Sequence, residues 1–450
     1  MNRLRNILVA AVVTHATVFS QPNLQSLING ASRGDTILVT PGTYHGNLVL
    51  DKPLVLRGLG NPVVRGDSSG IVITIAADSC TVEGFTIERS GDNLMHEDAG
   101  VLIKSNHNTL RGNNLRDVLF GIYLFEGDSN LVEGNTIVGR WKPDLGQRGS
   151  GIHIWNSHHN RFIGNSITEA RDGFYIQYAH HTLIERNEAF GLRYGVHYMY
   201  ADSNTFTRNR FTDNVAGAAI MYSRGIRMRH NIFSHNRGFA SFGILFQDCH
   251  GMIADSNVVS DNVVGMFFES TTMNLFRHNI IAQNDVALQM FQNSVQNTFT
   301  ENNFIDNLSP LLLVGKHTGT RWSSNGRGNY WSAYKGYDVD GDGMGDVPMK
   351  IQNTFQYLEG RNANLRLYLY SPASQALAAA AEAFPLMAIN SEMDDLPLMT
   401  PVLLTSLPAV VTLTQSAAPR TAAISWITLP LAGALLLGFI YHSIRRRGLR

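Results

Sequence analysis

The chain has 450 residues, with 36 Lys plus Arg against 36 Asp plus Glu, and 16% of its residues are charged. A formal net charge of zero provides no basic field for nucleic acid and no attraction for an acidic polymer. Two cysteines occur, Cys80 and Cys249, and the repeat described below separates them by about seven coils, roughly 35 Å, which is too far for a disulfide.

The first 20 residues have the pattern of a secretory signal peptide. Arg3 and Arg5 precede an apolar run from Ile7 to Val13, small residues follow, and Ser20 offers a cleavage position. We therefore predict that residues 1–20 are a signal peptide and that the remainder is exported.

Residues 21–327 carry an internal repeat of about 22 residues, marked in each copy by an asparagine ahead of a short apolar run. Six of the eight gaps between markers are 22 or 23 residues, and the other two are 30 and 26. A fixed period that tolerates insertions is typical of a solenoid. The markers are Asn113, Asn135, Asn165, Asn187, Asn209, Asn231, Asn257, Asn279 and Asn302.

Each copy of the repeat predicts two or three short strands. Apolar residues alternate in stretches such as Gly121-Ile-Tyr-Leu-Phe125 and Gly173-Phe-Tyr-Ile-Gln177. Strands joined by tight turns make one coil, and coils stacked at strand spacing give an all-β parallel β-helix. The marker asparagines are expected to form a hydrogen-bonded ladder and to occupy the left-handed backbone of a corner, which is a structural role.

Residues 328–385 are predicted to cap the solenoid. Gly328-Asn-Tyr-Trp-Ser332 supplies aromatics that would cover the open end of the last coil. Four carboxylates then stand at loop positions 1, 3, 5 and 9, with glycine at position 6, as in a calcium loop. They are Asp338, Asp340, Asp342 and Asp346, and position 12 is Met349 rather than an acidic residue. The loop predicts a structural calcium site, and a tight acidic turn is the alternative.

A short helix is predicted after this loop. Ser371 is placed as its N-cap and Pro372 at its first position, Ala373 to Phe384 is alanine-rich, and Pro385 ends it. Residues 386–420 contain Pro, Thr and Leu without clear periodicity and are predicted to be a linker.

Residues 421–444 are predicted to be a transmembrane helix. The stretch from Ala422 to Ser443 is mostly apolar and has no charge, and residues 445–450 form a tail containing four arginines. This length suits a membrane span, and the arginines place the tail in the cytoplasm. A helix in a soluble core is the alternative.

Several segments together carry a resemblance to a known family. They are Gly34 to Tyr44, Lys52 to Gly58, the asparagine ladder, Gly328 to Ser332, the loop from Asp338 to Pro348, and Ser371 to Pro385. Over about residues 24–385 the chain resembles the NosD family, the periplasmic maturation proteins of nitrous oxide reductase. The repeats alone are shared by carbohydrate-binding and sugar-hydrolase proteins, whereas the two C-terminal motifs in this order are more specific.

The resemblance implies a right-handed β-helix that works with an ABC transporter, NosF and NosY, and with a copper chaperone, NosL. Together they build the copper–sulfur site of the reductase. Many relatives end soon after the Ser-Pro helix, so the predicted membrane anchor departs from the family pattern. Because the helix lies nearest the membrane, we expect it to dock the transporter through Leu377 and Phe384.

The repeat register also stacks potential copper ligands on neighbouring coils. His158 falls over His180 and His159 over His181, Met199 falls next to Met221, and a column contains His153, Tyr175 and His197. Imidazole and thioether are ligands that copper prefers. This pattern predicts a copper-contacting surface. The alternative is that the histidines are polar turn residues and the methionines fill gaps.

A competing class is an enzyme acting on polysaccharide, because β-helices also support lyases, epimerases and glycosidases. Such enzymes need paired carboxylates, or a base with cationic neighbours, on one outer face. At the outward strand positions the sequence offers Glu269 as the single carboxylate. The sequence therefore predicts a protein that is not an enzyme, and a saccharide-binding role is the further alternative.

Overall fold

The computed structural model describes residues 7–9, 23–315, 317–352, 358–359, 363–368, 371–383 and 392–403. Over most of this length the chain winds as a right-handed parallel β-helix of about 13 coils, which confirms the predicted solenoid. Three parallel sheets form its sides, and we number them 1, 2 and 3 in the order in which one coil visits them.

Sheet 1 has 13 strands, and its members precede the marker asparagines. Its strands are Ile7–Val9, Thr36–Val39, Val55–Gly58, Thr81–Glu83, Thr109–Arg111, Leu131–Glu133, Arg161–Ile163, Leu183–Glu185, Thr205–Thr207, Arg227–Arg229, Ile253–Asp255, Leu275–Arg277 and Thr298–Thr300.

Sheet 2 follows the markers and also has 13 strands. Its strands are Thr43–His45, Val63–Arg65, Thr86–Glu88, Asn114–Val118, Thr136–Gly139, Ser166–Thr168, Glu188–Phe190, Arg210–Thr212, Ile232–Ser234, Val258–Ser260, Ile280–Ala282, Asn303–Ile305 and Tyr330–Trp331.

Sheet 3 has 12 strands and contains the five-residue stretches that open with glycine. Phe174 and Ile176 point into the core and Tyr175 and Gln177 outward, which is the alternation that the sequence predicts. Its strands are Leu48–Leu50, Ile73–Ile75, Ala99–Ile103, Phe120–Phe125, Ile152–Trp155, Asp172–Gln177, Tyr194–Met199, Ala216–Arg224, Phe242–His250, Val264–Glu269, Val286–Phe291 and Ser309–Val314.

Helices are few in the described residues. The α-helices are Leu24–Gly30 and Pro372–Ala383, and the 3-10 helices are Leu145–Gln147 and Ala363–Tyr368. Among the described segments no helix has the length and apolar character needed to cross a membrane. The predicted transmembrane helix and basic tail lie outside these segments, as does the predicted signal peptide apart from Ile7–Val9, which pairs with Thr36–Leu38.

The marker asparagines form the expected ladder at the turn between sheets 1 and 2. Asn113 donates its backbone and side-chain N–H groups to Oδ1 of Asn135, at 3.0 and 3.1 Å. The same pair of bonds continues from coil to coil as far as Asn302 and Asn329, which is a rung that the repeat count omitted. Since every rung is buried, each side chain satisfies backbone groups that water cannot reach.

The left-handed corner residue is not the marker itself, so that expectation was wrong. Positive φ angles occur one position earlier, at 59° in Gly112 and 53° in Arg186. The marker must keep an ordinary backbone because its N–H and its amide both reach the next coil. The left-handed position therefore falls to the preceding residue, which is a glycine or, as with Arg186, a residue with an exposed side chain.

Two buried tryptophans and a returning segment close the C-terminal end. Trp331 stacks on Phe304 with centroids 4.0 Å apart, and Trp322 stacks on Phe299 at 5.1 Å. Asp394 then ends the asparagine ladder, because its Oδ2 accepts the backbone N–H of Asn329 at 2.8 Å. The cap thus covers apolar rings and terminates the polar column.

Part of the predicted linker, residues 392–403, belongs to this cap instead. Met393–Asp394 pairs antiparallel with Met349–Lys350. The buried carboxylate of Glu392 accepts hydrogen bonds from Thr318 and from Nε1 of Trp322, at 2.9 Å each. The segment lacks periodicity because it lies across the end of the solenoid rather than within a coil.

Candidate functional site

The outward face of sheet 3 carries the stacked imidazole and thioether side chains that the register predicted. Met199 and Met221 are partners on adjacent strands, and both are partly exposed. His153, Tyr175 and His197 succeed one another on three strands, with ring centroids 4.6 and 4.9 Å apart. The parallel register explains this, since residues one repeat apart become nearest neighbours.

The four turn histidines stack as two pairs. His158 lies over His180 and His159 over His181, with centroids 5.1 Å apart and the rings within 10° of parallel. Among the described residues no three of their nitrogens come within 4.8 Å of one another. The four therefore present two stacked pairs rather than a single convergent four-ligand centre.

His158 and His180 are members of a hydrogen-bonded corner. Nδ1 of His158 accepts the backbone N–H of His180 at 3.2 Å, and Nδ1 of His180 accepts the N–H of Asp202 at 2.8 Å. On neighbouring coils Asn106 and Asp128 do the same with side-chain oxygens. Burial, followed by the charge of His158, lowers the pKa of His180. The exposed His159 and His181 have no such bond in the described structure.

The acidic loop brings three of its four predicted ligands together. Asp338, Asp340 and Asp342 each place one carboxylate oxygen within 4.8 Å of the others. Asp338 also accepts the N–H groups of Gly341 and Gly343, which lowers the pKa of its carboxyl. The fourth residue, Asp346, lies outside this group and accepts the N–H of Val339 at 2.6 Å. The loop offers oxygen donors of the kind calcium takes, but only three converge.

The predicted docking helix is present as Pro372–Ala383. Ser371 caps it, since its Oγ accepts the N–H of Ser374 at 3.2 Å. Leu377 is half-buried, and Phe384 lies outside the described residues.

A buried charged cluster on sheet 3 was missed by the sequence argument. The carboxylate of Asp172 is fully buried and accepts two hydrogen bonds from Arg193, at 2.9 and 2.6 Å, with Nδ1 of His197 at 3.5 Å. Despite desolvation, these hydrogen bonds and charges hold the pKa of Asp172 below its usual value. Asp172 is the first residue of its strand, directly before Gly173, and it lies outside the alternating outward positions, so the strand pattern did not indicate it. The signal available was the arginine at one-coil spacing, Arg171 and Arg193.

Known proteins resemble this chain in sequence. Residues 137–336 match the family described as "Periplasmic copper-binding protein (NosD)". A "Probable ABC transporter binding protein NosD" of Pseudomonas aeruginosa is 38% identical over 371 residues, which is 80% of this chain and 86% of that protein. The protein of the same name from Stutzerimonas stutzeri is 35% identical over 375 residues, covering 80% and 85% of the two chains.

Solved structures share the fold. The A-module of the mannuronan C-5 epimerase AlgE6 from Azotobacter vinelandii has a TM-score of 0.51 with 14% identity, covering 67% of this chain and 94% of the module. At that identity the likeness concerns the β-helix alone. The two sequence relatives, in contrast, align along four fifths of the chain. The chain belongs to the NosD family.

Proposed function

We propose that this chain is a periplasmic accessory protein that helps to assemble the copper–sulfur catalytic site of nitrous oxide reductase, with an ABC transporter as its partner. The observation that carries the proposal is the alignment with two relatives named as ABC transporter binding proteins over 80% of the chain. The description of the matching family as periplasmic and copper-binding supports it. In this proposal the protein is a binding partner and not an enzyme, and NosF, NosY and the chaperone NosL complete the assembly.

Copper, in this proposal, is cargo that the protein contacts in passing. The thioethers of Met199 and Met221 and the exposed imidazoles of His159 and His181 supply ligands that suit copper. His158 and His180 contribute less directly, because their Nδ1 atoms already accept backbone N–H groups. A neutral imidazole with its Nδ1 lone pair engaged carries its proton on Nε2, so neither nitrogen is open to a metal.

The first experiment tests the proposal as a whole. A strain lacking this chain should produce reductase without its catalytic copper–sulfur site but with its other copper site filled, and the wild-type chain should restore the missing site. Reductase with both sites fully occupied in the deletion strain would contradict the proposal.

The second experiment separates the two histidine pairs. In His159→Asn/His181→Asn the exposed imidazoles are lost, so reductase made with this variant should carry less of the copper–sulfur site. His158→Asn/His180→Asn is the matched control, because Asn106 already fills the same corner station with an amide. Equal reductase copper in the two variants would show that these corners are only polar turns.

The attachment to the transporter is proposed to involve the helix Pro372–Ala383. Replacing Leu377 with aspartate, alone or with Phe384→Asp, should abolish co-purification with the transporter while the β-sheet circular dichroism stays unchanged. Gln375→Asp changes an exposed position of the same helix and serves as the control. A transporter complex that survives Leu377→Asp/Phe384→Asp would move the docking site elsewhere.

The structural roles of calcium and of the membrane anchor are parts of the same proposal. Asp338, Asp340 and Asp342 would hold a calcium ion that braces the loop next to the cap. The predicted helix over residues 421–444 would tether the solenoid to the outer face of the cytoplasmic membrane.

A saccharide-binding function is favoured by one observation. Tyr178, Tyr200 and Tyr222 stack on three consecutive coils with centroids 5.4 and 5.0 Å apart, and each ring is about two fifths exposed. Because the facing sides of the stacked rings are covered, the row presents mainly ring edges and hydroxyl groups, which suit contact with the hydroxyls of a saccharide. Binding to a uronate polymer that is lost in Tyr200→Ala would support this second function, and the absence of any binding would remove it.

A further inference from the structure

Among the described residues, three buried polar side-chain atoms without a hydrogen-bond partner belong to two adjacent coils, at or just before the sheet 3 strands Ile152–Trp155 and Asp172–Gln177. They are Oγ of Ser150, Nδ1 of His153 and Nε of Arg171, each screened from solvent. Such atoms are costly to leave unsatisfied and are rare in folded proteins. Three such atoms on neighbouring residues therefore indicate a place where a ligand could supply the missing hydrogen bonds.

The backbone register brings these residues side by side. The N–H of Arg171 donates to the carbonyl of Gly149, and the N–H of Gly151 donates to the carbonyl of Asp172, both at 2.8 Å. Ser150 therefore lies directly beside the Arg171–Asp172 pair on the next coil. His153 continues the Ser150 strand, and its ring packs against Tyr175 at 4.6 Å.

Within the cluster two guanidinium groups share one carboxylate, and the next acidic group is Glu97, which acts on the neighbouring Tyr123 and Tyr175. Asp172 is engaged by Arg193 through two hydrogen bonds, whereas Arg171 approaches the same carboxylate only at 3.4 Å and makes no hydrogen bond through Nε. Two guanidinium groups thus face one carboxylate. The Arg171 side chain is 24% exposed, although its Nε is screened from solvent.

The imidazole of His153 adds an uncharged polar group to the cluster. Burial, followed by the charge of Arg171, lowers its pKa to about 3, and the charged groups acting on it are Arg171, Asp172 and His197. Tyr123 and Tyr175 enclose its ring at 4.7 and 4.6 Å. A neutral imidazole can present N–H at Nδ1 when its other nitrogen carries no proton.

We infer that Ser150, His153 and Arg171 form a binding site for an oxyanion. An arginine N–H, a serine hydroxyl and an imidazole N–H are donors, and a surplus guanidinium charge selects for a negative ligand over a metal cation. The shared chemistry fits a free tetrahedral oxyanion and also the carboxylate of a small organic acid. His153 also belongs to the column predicted to contact copper, but the inference uses none of the histidines and methionines assigned to copper in the proposed function and does not rest on that function.

The test measures anion binding to the full-length protein by calorimetry. Sodium sulfate and sodium acetate are titrated separately at equal ionic strength, with sodium chloride as the reference. Sulfate binding without acetate binding assigns a tetrahedral oxyanion, and acetate binding assigns a carboxylate. If neither anion binds more tightly than chloride, the inference is overturned.

Two substitutions show where the anion sits. Arg171→Gln removes the charge while keeping most of the bulk and should weaken binding about tenfold or more, as loss of a charge-assisted hydrogen bond does. Ser150→Ala removes one hydroxyl and should weaken binding about fivefold, which keeps the test valid if the arginine variant folds poorly. The control Arg224→Gln alters an exposed arginine on sheet 3 and should bind as the wild type does. Unchanged affinity in both Arg171→Gln and Ser150→Ala would place the anion elsewhere and overturn the inference.

Discussion

The asparagine ladder can be tested with two neighbouring asparagines that differ only in their position in the fold. Asn113 is a buried rung, whereas Asn114 is exposed at the start of a sheet 2 strand. The side chain of Asn113 accepts the N–H of Phe85 at 3.0 Å and donates to the carbonyl of Val82 at 3.0 Å. Asn113→Ala and Asn114→Ala therefore delete the same atoms in a buried and in an exposed setting.

The expected difference follows from these two contacts. In Asn113→Ala the N–H of Phe85 and the carbonyl of Val82 lose their side-chain partner inside the solenoid. Each unsatisfied buried group costs about 1–3 kcal/mol, so the two groups together should cost the variant about 2–6 kcal/mol of stability. Asn114→Ala should stay within about 0.5 kcal/mol of the wild type, as exposed substitutions usually do.

Urea unfolding followed by circular dichroism measures the global change, and hydrogen exchange of the Phe85 amide reports the local one. Because neighbouring coils are coupled mainly to one another, exchange should accelerate in the coils around residues 82–113 before the rest of the solenoid. If the two variants unfold at the same urea concentration and the Phe85 amide remains equally protected, the ladder does not stabilise the fold and the reasoning fails.

Three further predictions concern acid stability, the cap and topology. Because the pKa of His153 is about 3 in the folded state and near 6.5 when unfolded, the unfolded chain binds the extra proton between these values. Stability should therefore fall as the pH drops from 6.5 towards 3, by up to about 1.4 kcal/mol per pH unit, and His153→Phe should show a shallower slope in urea melts. Trp331→Ala removes the ring stacked on Phe304 and should cost about 3–5 kcal/mol, whereas Trp141→Ala, at a ring 61% exposed, should be nearly neutral in the same melts. A reporter active only in the cytoplasm should be active when fused after Arg450 and silent after Ala418, and the reverse pattern would exclude the predicted anchor.

Periodic features could be predicted from the sequence because the repeat itself encodes the neighbours. In a parallel β-helix, residues one period apart lie on adjacent strands, so counting 22 residues identifies the contacts of Asn113 with Asn135 and of His158 with His180. The alternation of Phe174 to Gln177 likewise indicates which side chains face the core. Stacking within columns and the strand order of each coil therefore followed from the sequence.

Only the tertiary structure decided the contacts that do not follow the period. Asp394 ends the asparagine ladder from 65 residues beyond Asn329, and Glu392 receives the indole N–H of Trp322 from a segment without a repeat. The buried carboxylate of Asp172 accepts hydrogen bonds from Arg193, whereas Nε of Arg171 stays 3.4 Å away. Which of the two arginines bonds to it depends on the positions of both side chains in the folded protein. A repeat sequence specifies the register of neighbouring strands. Contacts and burial outside the repeat depend on tertiary packing, which no local sequence pattern specifies.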